Sequence, residues 1–422
     1  MRNYRLQLNK IAIDAHPNIS SGLQNLNVEL TARMPTSNNI LHYTFCHVLK
    51  SASLYWNHKY GPVRFILDEK DRTKTTMFSE EFLNSLGLPF KFLINYEPDP
   101  IDTAGFTQLA KNHRSFGYAQ QLYSSYLFDL YTTADVIAWI DTDIMFTTIV
   151  TPHQVIRDGK LLVKGMDVIM DHPPNNIVKT WSDSTMHFIG VPMIADFMTY
   201  FPVYLWPSTV KNCRKFIMKR FGHPENFEAA WIKASLNLTG NVPQSPVNVI
   251  LSYAWHFEKD KYEWHIDIGN SALDQYNQLI FPDLEHNLHH EDITPALSTT
   301  IHSKYYRNPY LALRNSFCYV QRILRNSKII GQELLPLTKS LHCNHLPLDN
   351  MLLFDWDTNY PRNHFAWCAG EKMSVCRALL AEHDREVIEE MRHGYSLDTK
   401  YTHLIDSKAS QNFNIKCPRF LP

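Results

Sequence analysis

The chain has 422 residues, enough for one large catalytic domain or two domains. With 44% hydrophobic and 20% charged residues it has the composition of a folded globular protein, and a formal net charge of −1 excludes a chain built to hold nucleic acid or an anionic membrane. No run approaches the ~18 apolar residues of a membrane span, and Met1-Arg2-Asn3-Tyr4-Arg5 lacks a signal peptide's apolar core, so either a cytoplasmic chain or one separated from its anchor is expected.

Residues 1–38 are polar and rich in Asn, which predicts a loose arm with one helix from Leu23 to Met34. Leu41 to Val48 alternates and predicts a strand. A helix is expected from Ala52 to Tyr60, stopped by Gly61-Pro62. Val63-Arg64-Phe65-Ile66-Leu67-Asp68 predicts a second strand with an acid at its end, and Phe90 to Ile94 a third, closed by Pro98 and Pro100. From Tyr118 to Tyr131 a helical period places Tyr123, Tyr126, Leu127, Leu130 and Tyr131 on one face, a stripe best read as core. The β-branched run Val136-Ile137-Ala138-Trp139-Ile140 then predicts a buried strand that stops at Asp141-Thr142-Asp143. Strands alternating with helices argue an α/β protein with a Rossmann-type, mostly parallel sheet flanked by helices.

Beyond this point Thr151-Pro152 predicts a helix start with Pro in the first turn. Leu161 to Val163 and Leu297 to Lys304 have strand character, and Val210 to Phe221 is a helix with a basic, solvated face that includes Arg214. Phe227 to Leu236 is a further helix, and Asn248 to Phe257 an apolar core segment. A second apolar run ends in Asp355-Trp356-Asp357, without a helix–strand lead-in. Of seven cysteines, five (Cys318, Cys343, Cys368, Cys376 and Cys417) crowd the last third, which predicts at least one disulfide there, Cys368 and Cys376 being nearest in sequence. Zinc binding by His342, Cys343 and His345 is the rival, at a spacing unlike standard zinc sites. Asn18-Ile19-Ser20 and Asn237-Leu238-Thr239 are glycosylation sequons; with the cysteines they favour a Golgi-like lumen over cytoplasm.

Two aspartates one residue apart, at the carboxyl end of a buried strand, can present oxygens to one hard cation, Mn²⁺ or Mg²⁺. The plain alternative is a strand cap that starts a turn. The flanks bear on the choice. Gly117 to Tyr126 leads through Leu127 to Tyr131 and Ala134-Asp135 into the strand and Asp141-Thr142-Asp143. This passage resembles the helix, strand and DxD core of GT-A glycosyltransferases, most closely a poorly characterised group among them. The resemblance is specific over residues 41–165, suggestive to about residue 310 and absent beyond.

The resemblance implies a 1–38 arm, a GT-A-like domain over 39–310 (nucleotide-sugar part 39–165, acceptor part 166–310) and a cysteine-containing C-terminal extension over 311–422. It implies that Asp141 and Asp143 hold Mn²⁺ (or Mg²⁺) against the diphosphate of a nucleotide sugar, with UDP-sugar favoured. It further implies a late strand that returns a histidine to the metal and a lysine to the diphosphate; His302 and Lys304 fit, with His187 next in line. Gln120 and Gln121 are candidates for the base or a phosphate, and a base pocket at the ends of the early strands nominates Phe45 and Asp68. An inverting reaction needs a carboxylate base near the acceptor; Asp183, Asp196 and Glu228 are available, with Asp196 favoured. The acceptor is a glycan, glycoprotein or small molecule. Two alternatives stay open: a phosphohydrolase of the haloacid dehalogenase type, whose first Asp is the nucleophile, and a non-catalytic sugar-binding relative.

Overall fold

A computed structural model describes residues 26–72, 78–112, 115–146, 148–166, 176–198, 201–238, 244–267 and 300–302, and parts of 317–329 and 384–418. Its elements, numbered here in chain order, begin with β1 (Val28–Arg33), α1 (Asn38–Tyr43), α2 (Lys50–Tyr55), β2 (Val63–Asp68), α3 (Glu80–Ser85) and β3 (Phe92–Glu97). They continue with α4 (Thr103–Asn112), α5 (Phe116–Ser124), α6 (Phe128–Tyr131), β4 (Val136–Trp139), β5 (Ile144–Phe146), β6 (Ile156–Arg157), β7 (Lys160–Met166) and α7 (Asn176–Ile189). Then follow β8 (Val203–Leu205), α8 (Pro207–Arg220), α9 (Phe227–Leu236), α10 (Pro246–Phe257), β9 (Tyr262–Asp267), β10 (Thr300–His302) and α11 (Lys400–Phe413).

The main sheet has five strands in the order β3-β2-β1-β4-β8. β3, β2, β1 and β4 are parallel and β8 closes the edge antiparallel to β4. The expected mostly parallel α/β sheet is therefore present, in a Rossmann-like order. The chain order reverses between β1 and β4, and open α/β sheets hold ligands at the carboxyl ends of strands at such a switch point. A second sheet pairs β10 with β5, and a third runs β6-β7-β9.

β1 overturns the helix expected from Leu23 to Met34. Val28, Leu30 and Ala32 face the apolar core, while Glu29, Thr31 and Arg33 share the other face. That polar face is buried too, because β2 and β3 bring partners to it. Arg64 grips Glu29 through both nitrogens, Nε to Oε1 at 2.6 Å and Nη2 to Oε2 at 2.9 Å, and also donates to Asn95. A buried pair of this kind is tolerated only when its hydrogen bonds are complete. Gly61 lets β2 enter alongside β1: a Cβ there would lie 2.6 Å from the Val28 carbonyl oxygen.

The strand expected over Leu41 to Val48 is likewise helical. α1 runs through a π-helical turn, Thr44–Leu49, into α2. Every residue from Thr44 to Tyr55 is buried, so no polar face sets a helical period in the sequence. The C-terminal segment packs on this helix. Cys46 and Cys417 form a disulfide. The buried Lys50 donates to both oxygens of Asp406 on α11, at 2.7 and 2.9 Å, and to the Pro418 carbonyl. A disulfide of this kind is worth about 2–5 kcal/mol. Cys318 is also disulfide-bonded, to a partner outside the described residues, and Cys213 is free and buried. Cys343, Cys368 and Cys376 lie outside the described residues, as do His342, His345, Asp355, Asp357 and Asn18.

The helix leading to β4 forms as α5, a short 3-10 turn and α6, capped by the Ser115 side chain, which accepts from the Tyr118 N–H. Its aromatic stripe is core: Tyr123 stacks on Phe227 and Tyr126 donates to Gln244. Leu130 departs from the stripe and is exposed. On α8 the basic face is not wholly solvated, since Arg214 is buried against the carboxylate of Asp129 and the carbonyl of Tyr126. Among the described residues no helix is long and apolar enough to cross a membrane.

Candidate functional site

β4 carries Val136, Ile137, Ala138 and Trp139, all buried, to the switch point. The Ile140 N–H still donates to the Thr31 carbonyl at 2.9 Å, so the strand stays on β1 until the residue before Asp141. Asp141-Thr142-Asp143 then turns the chain. The Thr142 N–H donates to Asp141 Oδ1 at 2.8 Å, which fixes the first carboxylate against its own backbone. Both aspartates are half-buried while Thr142 between them is buried. β5 leaves the turn and pairs antiparallel with β10, with His302 opposite Ile144, the residue after Asp143. The chain thus returns His302 beside the aspartates across a gap of more than 150 residues in sequence. Of His302 only the backbone is described, and Lys304 lies outside the described residues.

The early strands end at the same edge with a second charged group. Arg33, at the end of β1, donates to Asp68 at the end of β2, stands 3.7 Å from Glu97 at the end of β3, and donates through Nε to Ser124 Oγ at 3.1 Å. Burial drives the Glu97 carboxyl up to about 7 against the pull of Arg33. Lys70, in the turn after β2, adds a half-exposed ammonium 3.5 Å from Asp68. Asp68 thus sits at the expected edge, held by Arg33. Phe45 does not lie in a strand end: it is fully buried on the π-helical turn, its ring against Phe78 and Phe413, so its apolar area is committed to the core. Gln120, on α5 one turn before Ser124, is fully buried, and neither side-chain amide atom has a hydrogen-bond partner. Gln121 is half-buried, and its carbonyl accepts from Ser125 Oγ.

The candidate bases separate clearly. Asp196 is buried, and its Oδ1 accepts from the Met198 N–H at 3.0 Å and Asn248 Nδ2 at 3.1 Å. Asp183 is exposed on α7, and Glu228 accepts from the Asp102 N–H at the start of α4. His187 lies 3.0 Å from the Ala234 carbonyl through Nε2, with its ring against Phe221, which commits it to the packing of α7 on α8 and α9.

Sequence reasoning missed Arg33, Glu97, Lys70 and His47. His47 is buried on the π-helical turn, near enough to Asp143 to feel its charge; burial outweighs that charge and takes the imidazole down to about 4. The charged residues just past the two strands expected at Val63 and Phe90 were a usable signal for Lys70 and Glu97; Arg33 lay in a segment read as helical, and nothing in the local pattern marks His47. Among the described residues no group of three or more His, Cys, Asp or Glu side chains is gathered in metal-holding geometry. Two half-buried carboxylates at one turn still supply the hard oxygen donors that Mn²⁺ or Mg²⁺ prefers.

No protein-family description matches the chain, and no curated protein matches it. Among solved structures, the apo form of mouse xyloside xylosyltransferase 1 is similar over 65% of this chain and 96% of that chain, with a TM-score of 0.33 and 9% identity. A likeness this distant carries no assignment of activity.

Proposed function

We propose that the protein is a GT-A-type glycosyltransferase that takes a sugar from a nucleotide-diphosphate sugar, UDP-sugar by preference, with a divalent cation at Asp141 and Asp143. One observation carries the reading: the Asp-x-Asp stands at the switch point of a parallel sheet, half-buried, with the β10 backbone returned beside it. His302 is proposed as the third ligand and Lys304 as a diphosphate contact. When bound, the cation supplies Lewis-acid neutralisation of the leaving diphosphate.

The chain's own groups do the rest in this reading. Gln120 offers an unpaired buried amide, and an amide has the donor and acceptor needed to read a base edge. Asp68, oriented by Arg33, and Gln121 flank the same end. Asp196 is the proposed base for the acceptor hydroxyl, its carboxylate aimed by Asn248. The acceptor is a glycan, glycoprotein or small molecule. The disulfide Cys46–Cys417 supports an oxidising lumen as the working place.

The test is Mn²⁺-dependent hydrolysis of a panel of nucleotide-diphosphate sugars by the parent and by Asp143→Asn. Turnover by the parent, lost by at least 100-fold in the variant, is expected. Full activity in Asp143→Asn, still needing metal, removes the assignment. Phosphate release from a simple phosphomonoester, with no sugar nucleotide cleaved, moves the chain to the phosphohydrolase class.

A further inference from the structure

Three cations of α8 have no partner in the fold. The helix carries Lys211, Arg214, Lys215, Lys219 and Arg220 and not one acid. Arg214 is neutralised by Asp129, and Arg220 donates to the His187 carbonyl. Lys211, Lys215 and Lys219 are exposed, and none pairs with an acid or a hydrogen-bond acceptor among the described residues. At i, i+4 and i+8 they form one row along the helix, about 12 Å long at 1.5 Å per residue. Like charges at this spacing destabilise a helix. Lys219, in the last turn, is favoured by the helix dipole. Lys211 and Lys215, in the second and third turns, gain nothing from it. Folding therefore opposes the row, and a ligand is the reason to keep it.

An aromatic cluster stands at its side. Phe216 follows Lys215 and lies one turn before Lys219; its ring is 5.0 Å from that of Phe257 and 5.6 Å from that of Tyr253. Phe257 ends the largely buried α10 yet is 48% exposed. Glu258, the acid that follows it, accepts from Thr209, Asn212 and Lys261, so its charge does not cancel the row. A straight, open row of cations has no walls to enclose a small anion; it fits a chain that repeats its charge. One exposed ring is too little to hold a lipid surface, whereas the apolar C–H face of a sugar packs on a ring of this kind. Nucleic acid calls for a wide basic field that a chain of net charge −1 lacks. The Cys46–Cys417 disulfide also fits an oxidising compartment, where nucleic acid is absent.

We propose that the Lys211–Lys215–Lys219 row, with Phe257 beside it, binds a linear anionic polysaccharide, whose carboxylates or sulfates meet the ammonium groups while a sugar face covers the ring. This surface goes beyond the transfer reading, and binding here requires neither metal nor sugar nucleotide.

The experiment is fluorescence anisotropy of labelled hyaluronate and heparin oligosaccharides titrated with the full chain, with metal and sugar nucleotide left out. Hyaluronate carries carboxylates alone and heparin sulfates as well, so the pair tells which anion is read; neutral dextran is the control. Binding to at least one of the two, weakened by salt, is expected, with none to dextran. The triple variant Lys211→Gln, Lys215→Gln, Lys219→Gln should lose about tenfold or more in affinity. The same three changes to Arg should keep it, and Phe257→Ala should weaken binding while leaving its salt dependence unchanged. Should the Gln triple variant not fold, Lys215→Glu takes its place. No binding by the parent, parent-like affinity in the folded Gln variant, or equal binding of dextran overturns the surface. Tighter binding to single-stranded RNA or to vesicles of anionic lipid than to either polysaccharide overturns the choice of occupant. Each of these results leaves the transfer reading untouched, since Asp143→Asn tests that separately.

Discussion

Acids end three of the four parallel strands at one sheet edge, and they fall into two kinds. At β2 and β3, Asp68 and Glu97 are 3% and 2% exposed and share Arg33. At β4, Asp141 and Asp143 are only half-buried. A carboxylate taken fully out of water needs its counter-charge supplied by the protein, and the pair is then committed to the fold. A half-buried carboxylate keeps part of its hydration and can exchange it for a cation. Similar residues at similar strand ends therefore differ in how far the fold withdraws them from water.

The comparison can be broken most forcefully at Arg33. Arg33→Ala leaves Glu97 without its cation and Asp68 with only the half-exposed Lys70, and a loss of about 3–5 kcal/mol is expected from urea denaturation at pH 8. A loss below about 1 kcal/mol would mean that Arg33 is not the structural counter-charge.

Glu97 sharpens the comparison through pH. Its folded value is raised from 4.5 to about 7, so between those limits the folded state holds a proton that the unfolded chain releases. Stability from this group is complete below the lower limit and is lost as pH rises through the upper one, by on the order of 3 kcal/mol. Glu97→Gln removes that dependence. Chemical denaturation from pH 5 to pH 8 should show the variant's stability falling less than the parent's, leaving the variant the more stable protein at pH 8. Parallel pH curves would show that Glu97 is solvated in the folded state.

The smallest expected change is at β4. Asp143→Asn should alter unfolding free energy by less than about 0.5 kcal/mol, although it removes the proposed cation. Thermal melting with and without Mn²⁺ checks both halves: the parent should gain stability from the ion and the variant should not. A large loss in the metal-free variant would place Asp143 with Asp68 and Glu97, as a structural acid.

Local pattern was enough where a strand is apolar and its end is marked. β2, β4 and α9 fall where the sequence puts them, and so does the Asp-x-Asp at the end of β4. Their residues declare themselves because burial there needs only apolar side chains. β10 was legible from the strand character of Thr300-Ile301-His302, but its pairing with β5 was not, since no local residue names a partner so far away.

What tertiary structure alone decided is where buried charge is neutralised and what surrounds a segment on all sides. β1 looked like part of a polar arm because Glu29, Thr31 and Arg33 belong on a surface unless Arg64, Asp68 and Ser124 arrive from elsewhere. The Thr44–Tyr55 helix gave no helical period because neighbours cover it on every side, among them the C-terminal segment through Cys417 and Asp406. The sequence by itself determined the α/β class and the Asp-x-Asp at the end of β4, because both depend on the order of apolar and acidic residues along the chain. The strand returned beside that turn depends on a pairing between distant segments, and only folding brings them together.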